Sequence, residues 1–300
     1  MANSPDILLG SLIGDALALG PHWIYNQREI REKLGRVTTY QPPLAIYHAG
    51  KSAGDFTHYG DQALVLLRSI VNAGGFDLAR FESDWQAFWE DPATISYRDG
   101  ATKDTLAHLR SRSSPASTSD DIAGAARIAP LFLLDWKDDD ALLAAVRSQT
   151  AFTHGDPAVI EAAEFFTSAT LAVQRGKSIK PALRQTLESG IWQTLPDEWL
   201  ENALESAISN ETDAAALHRH GLSCRTYDAF PSICHLLLRH PEDPATALIE
   251  NANSGGDSAA RGMILGLVYG AAFPVSTWPA EWLTGLGARH EIESLIRKLP

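Results

Sequence analysis

NSGGDSAARGMILGLVYGAA, residues 253–272, is the stretch whose reading decides the fold. Gly262, Gly266 and Gly270 recur every four residues in an apolar run, so one face of a helix carries no side chains. A second backbone can approach such a face closely. Asp257 stands immediately before the run, after Gly255 and Gly256, where a carboxylate caps a helix and glycine lets the chain turn. Two other stretches repeat the combination of glycine, aspartate and apolar helix: GSLIGDALALG (10–20) with Asp15, and HYGDQALVLL (58–67) with Asp61. Each Asp is expected at or near a helix start. Any one of them is explained as a cap; three together also allow carboxylates from different helix starts to converge on one hard cation.

Helical periodicity continues outward from these stretches, while strand-like alternation rarely exceeds four residues. Ala63, Leu66, Leu67, Ile70 and Val71 mark one face of a helix that Gly74-Gly75 ends. Leu78, Phe81, Trp85, Phe88 and Trp89 form an aromatic stripe that belongs in the core. Further helices are expected near 121–135, 139–150, 157–175, 180–189, 197–208, 228–239 and 244–252. Asp138, Asp139 and Asp140 read as a solvated helix start. The Pro- and Gly-rich segment 38–60 and SRSSPASTS (111–119) read as loops too short to separate domains. The expectation is an all-α fold in a single domain over 1–300.

Of the 300 residues 45% are apolar, ample for a core, and the formal net charge is −12. That sign repels phosphate backbones, so nucleic acid is not an expected partner. No window has the roughly 18 uninterrupted apolar residues of a membrane span. Cys224 and Cys234 are the only cysteines, form no metal knuckle, and read as small buried hydrophobes. A soluble cytoplasmic protein is the expectation.

Taken in order, these stretches resemble ADP-ribosylglycohydrolases. GSLIGDALALG is similar to the family's opening helix, SDDIAGAARIAPL (119–131) to its mid-chain segment, FTHGDPAVIEAAEF (152–165) to its Thr-His segment, and 251–271 to its C-terminal Gly-Gly-Asp turn and glycine-spaced helix. The resemblance spans nearly the whole chain. It implies a compact all-α domain that cleaves ADP-ribose from a side chain with two magnesium or manganese ions. In that family the ions are held by a Thr-Asp-Asp-Thr run and a C-terminal Asp-x-Asp-Thr run.

Laid on that pattern, the first run becomes Tyr59-Gly60-Asp61-Gln62 and the second Asp257-Ser258-Ala259-Ala260. The acid the family places after its first segment falls at His22. Two ions about 4 Å apart need several shared carboxylates, whereas one Mg²⁺ or Mn²⁺ can be held by one or two. The resemblance therefore implies at most one hard cation, on Asp61 and Asp257. His22, Tyr59, Asp61 and Asp257 are the catalytic candidates; a histidine could serve as general base, and two histidines with an aspartate could hold a softer metal. Ser119, Gly124, His154, Gly256 and Ser258 would line the groove for an ADP-ribose-like ligand, free or on a protein. Three readings stay open: a hydrolase of N- or O-linked ADP-ribose or a related ribosyl conjugate, a non-catalytic binder that has lost the metal cage, and a structural role like that of lens crystallins similar to the family.

Overall fold

In the computed structural model, which describes residues 4–189 and 191–299, sixteen α-helices and three 3-10 turns follow one another, with no β-strand among the described residues. The all-α expectation is met. At the centre, the helix Pro5–Ala18 lies antiparallel against the helix Ser258–Ala272. Their glycines face each other in register. A Cβ on Gly14 would stand 2.0 Å from the Gly262 carbonyl oxygen, one on Gly266 1.9 Å from that of Gly10, and one on Gly270 2.2 Å from that of Asp6. The second backbone called for by the glycine spacing is thus the N-terminal helix.

Around this pair the apolar residues form one contiguous buried cluster, from Ile7 near the start to Leu295 near the end. Trp85 and Trp89 of the aromatic stripe are fully buried in it. No helix among the described residues is long and apolar enough to cross a membrane.

Several expectations shift. The helix expected over 121–135 is instead a short turn, Ala123–Ala126, followed by the 3-10 turn Ala129–Leu133. Pro130 lacks the N–H that a continuous helix would need there. Asp15 sits in the last turn of its helix, not near the start. The third helix of interest, His58–Ala73, begins earlier than its periodicity suggests, because the Thr57 hydroxyl caps it by accepting from the Tyr59 N–H at 3.1 Å. Asp61 therefore lies inside the first turn. The helix Gly100–Ser111, capped by Asp99, has no strong apolar pattern and was not expected.

Candidate functional site

Three backbone junctions assemble the site. The loop after the first helix pairs with the Gly255-Gly256 turn: Trp23 N–H donates to Gly256 O at 2.7 Å, and Gly256 N–H to Ile24 O at 2.9 Å. Both glycines have positive φ (71° and 63°), and a Cβ on either would meet a carbonyl oxygen at 2.2–2.3 Å. Only glycine fits. Next, Asp257 N–H donates to Leu222 O at 2.9 Å, and Ile122 N–H to Cys224 O at 2.9 Å, which sets Asp121, Cys224 and Asp257 side by side. Ser119 helps: its hydroxyl accepts from the Asp121 N–H at 3.2 Å.

At the centre is Tyr59, fully buried. Its hydroxyl lies 2.9 Å from Asp257 Oδ2 and 3.4 Å from Asp121 Oδ2. A phenol has one proton, so it donates to Asp257 and can accept from a protonated Asp121. Burial first, then the charge of Asp257, pushes Asp121 well above the usual carboxylate range. Burial also pushes Asp257 up, against the opposing pull of Arg261 and the Tyr59 hydrogen bond. Both shifts run in the direction that favours sharing a proton over ionising together. Cys224, read from sequence as a buried hydrophobe like Cys234, is only half buried and flanks this pair. Its thiol is pushed up by burial and by both carboxylates, so it is not a thiolate.

Beside the carboxylates stands a second group, His22, His48 and His58, all buried, each offering one ring nitrogen within 4.8 Å of the others. His22 Nδ1 is 3.7 Å from Asp257 Oδ1, and His58 Nε2 is 3.3 Å from Asp99 Oδ2. Trp23 stacks on His22 at 4.6 Å between centroids, and its φ of 62° is costly for a bulky residue, by about 1–2 kcal/mol. Strain of this kind collects at functional sites.

Of the catalytic candidates, His22, Tyr59 and Asp257 come together. Asp61 does not join them. Both its oxygens accept from Lys51 Nζ, at 2.7 and 2.8 Å, and it belongs to neither group able to hold a metal ion among the described residues. The physical reason is helical geometry: two residues along a helix turn about 200°, so Tyr59 and Asp61 cannot both face Asp257. Nor is there room for an acid at position 60. A Cβ on Gly60 would lie 2.4 Å from Asp15 Oδ2, whose carboxylate accepts from the Thr57 N–H at 2.7 Å and hydroxyl at 2.6 Å.

The expected groove residues divide. Gly124 gives His154 room to pack, since a Cβ there would lie 2.8 Å from the imidazole Cγ. His154 Nδ1 lies 2.9 Å from the Thr153 hydroxyl, in a buried network with Arg127 and Gln62, and burial and then Arg127 lower its pKa to about 3. Ser258 is fully buried, its hydroxyl without a hydrogen-bond partner among the described residues. Sequence reasoning missed His48, Asp99 and Asp121. Asp121 was visible inside SDDIAGAARIAPL; His48 and Asp99 lie in segments with no local signal.

Comparison with known proteins matches this frame. The ADP-ribosylglycohydrolase family model covers residues 6–300, so the chain belongs to that family. It is 21% identical to Crystallin J1A of Tripedalia cystophora over 97% of this chain and 94% of that protein. It also shares its fold with a solved ADP-ribosylglycohydrolase-related protein complex, at a TM-score of 0.76 and 20% identity, over 98% of this chain and 95% of the other.

Proposed function

We propose that this chain is a hydrolase of ribosyl glycosidic bonds, of the ADP-ribosyl class, in which a proton-sharing carboxylate pair stands where its family uses two metal ions. The observation that carries the reading is the Asp121–Tyr59–Asp257 arrangement. Two acids, one fully buried and one partly, bridged by one buried phenol are expensive to keep in a merely packed core, and a raised carboxyl is what a general acid at neutral pH requires.

Asp121, partly exposed, gives its proton to the leaving oxygen or nitrogen as the bond to the anomeric carbon breaks. Asp257, ionised and aligned by Tyr59, opposes the positive charge that develops on the ribose. Water adds to the anomeric carbon, and the proton it sheds returns to the pair. Ser119 holds the Asp121 turn. The residues present do not fit the family's magnesium or manganese pair: Lys51 neutralises Asp61, Asp15 fills the space beside Gly60, and Ala259 and Ala260 offer no ligand atoms. No step here depends on such ions. A single domain spanning the whole chain, acting in the cytoplasm, completes the reading.

The test is release of ADP-ribose from ADP-ribosylated arginine and serine peptides by the purified protein, with magnesium and without it. Release is expected without added magnesium and should fall about 10²- to 10⁴-fold in Asp121→Asn. No release under either condition sinks the hydrolase.

A second reading, a non-catalytic binder of ADP-ribose or a nucleotide, draws on a different observation: Gly60, Ala259 and Ala260 all lack the oxygens that the family pattern supplies. Calorimetry with ADP-ribose separates the two, since heat without turnover supports the binder and no heat removes it.

A further inference from the structure

We propose that His22, His48 and His58 form a binding site for one divalent transition ion of the zinc type, adjoining the carboxylate pair but taking no ligand from it. Three features of the cluster point this way.

The first is unsatisfied bonding. His22 Nε2, both nitrogens of His48 and Nδ1 of His58 are buried without a hydrogen-bond partner among the described residues, while His58 Nε2 faces Asp99. Buried polar atoms nearly always have partners, and four such nitrogens on three adjacent rings concentrate that need at one point. Neutral imidazole is the side chain that borderline ions such as Zn²⁺ prefer, and magnesium does not.

The second is ring geometry. Three imidazoles bound tetrahedrally through bonds of about 2.0–2.1 Å would have ring centroids about 5.2 Å apart. The observed separations are 5.3 Å for His22–His48, 5.6 Å for His48–His58 and 6.3 Å for His22–His58. Small side-chain rotations close the remainder, since one nitrogen of each ring already lies within 4.8 Å of one nitrogen of each of the others.

The third is support behind the ligands and access in front of them. Metal-bound histidines usually direct their second nitrogen at a carboxylate. His58 has Asp99 Oδ2 3.3 Å from Nε2, leaving Nδ1 for the ion. His22 has Asp257 Oδ1 3.7 Å from Nδ1, leaving Nε2; binding there exchanges the 3.3 Å contact between Nδ1 and the Ala259 N–H for the carboxylate. A cavity of about 290 Å³ lined by Tyr47, His48, Lys51, Ser96 and Tyr97 opens on the cluster at His48 and gives an ion a way in. Three protein ligands leave a fourth position for water or a ligand atom.

The site is tested by binding, independently of any hydrolase activity. The 300-residue protein, stripped with chelator and desalted, is titrated with Zn²⁺ and with Co²⁺, and metal content is measured after gel filtration. One ion per chain is expected, unaffected by millimolar Mg²⁺, with the visible bands of four-coordinate cobalt. Affinity should fall roughly a hundredfold or more in His48→Gln, a residue outside the carboxylate pair, and persist in Cys224→Ser. Anomalous diffraction from a zinc-soaked wild-type crystal needs no variant to fold, and should place the ion among the three imidazoles. No bound ion, binding that survives His48→Gln, or an ion located between Asp121, Cys224 and Asp257 would overturn the proposal.

Discussion

Two histidine clusters in this molecule, one partly and one wholly buried, have opposite bonding. In the one between helices Asp197–Ile208, Asp213–His220 and Thr226–Arg239, nearly every polar atom has a partner. Asp213 accepts from His235 Nε2 and His240 Nε2, each at 2.9 Å, and Arg239 lies 3.3 Å away. The Ser206 hydroxyl contacts His235 Nδ1 at 2.7 Å and His220 Nε2 at 3.0 Å. In the other, His22, His48 and His58 face one another, and His22 Nε2, both nitrogens of His48 and His58 Nδ1 have no partner among the described residues. The first cluster is complete within the fold and ties three helices together; the second is complete only with something added. A serine, a histidine and an aspartate within hydrogen-bond reach are therefore not evidence of catalysis here, because Ser206 and His235 are almost entirely inaccessible.

The largest expected effect breaks the satisfied cluster. Asp213→Ala removes the acceptor shared by two histidines and an arginine and should lower stability by about 3–5 kcal/mol in urea denaturation; a loss below about 1 kcal/mol would show that the network contributes little. Against the upward push of burial, the hydrogen bonds from His235 and His240 hold the Asp213 carboxyl well below its ordinary range. Its contribution is therefore present above the unfolded carboxylate pKa and is lost as pH falls through the lower folded value.

Asp15, beside the unsatisfied cluster, has the opposite sign. Burial, outweighing the two Thr57 hydrogen bonds, raises its pKa to about 7. Its folded state holds a proton that the unfolded chain gives up near pH 4, so stability is greatest below that pH and declines as pH rises towards 7. Relative to Asp15→Asn, the wild type should lose roughly 3–4 kcal/mol across that window. Melting curves of both proteins at pH 4 to 8 that stay parallel would contradict the assignment.

A smaller effect is expected at Gly60, where Ala would press on the Asp15 carboxylate and cost about 1–3 kcal/mol. An unchanged melting temperature for Gly60→Ala would mean that Asp15 yields and that room for an acid exists after all. The smallest effect sharpens the comparison most: His48→Leu in metal-free protein should change stability by less than about 1 kcal/mol, because no hydrogen bond is lost. A loss as large as that of Asp213→Ala would erase the distinction between the clusters.

Much of the frame was legible beforehand. The glycine spacing of 262, 266 and 270 predicted a close backbone contact, and Gly10 and Gly14 supply the partner. Asp257 was readable as the cap of its helix and is one, accepting from the Ala260 N–H at 3.3 Å. Asp61 was readable as an acid near a helix start; its pairing with Lys51 was not, because that depends on how the loop before the helix folds back. The segment 121–135 looked helical from its apolar spacing, yet Pro130 and the packing of Gly124 on His154 break it up. His48 lies in a loop without periodicity, and nothing local marks it as a neighbour of His22 and His58.

What the sequence determined alone is whatever a regular period encodes: the helices, the faces they bury, and the glycines that let two backbones touch. Those follow from side-chain spacing along 3.6 residues per turn, a purely local quantity. Which acids meet, which one carries the proton, and which imidazoles are left without partners were settled only by the tertiary structure. These depend on charge, burial and orientation among residues some two hundred positions apart, as with Tyr59 and Asp257, and no local pattern records them.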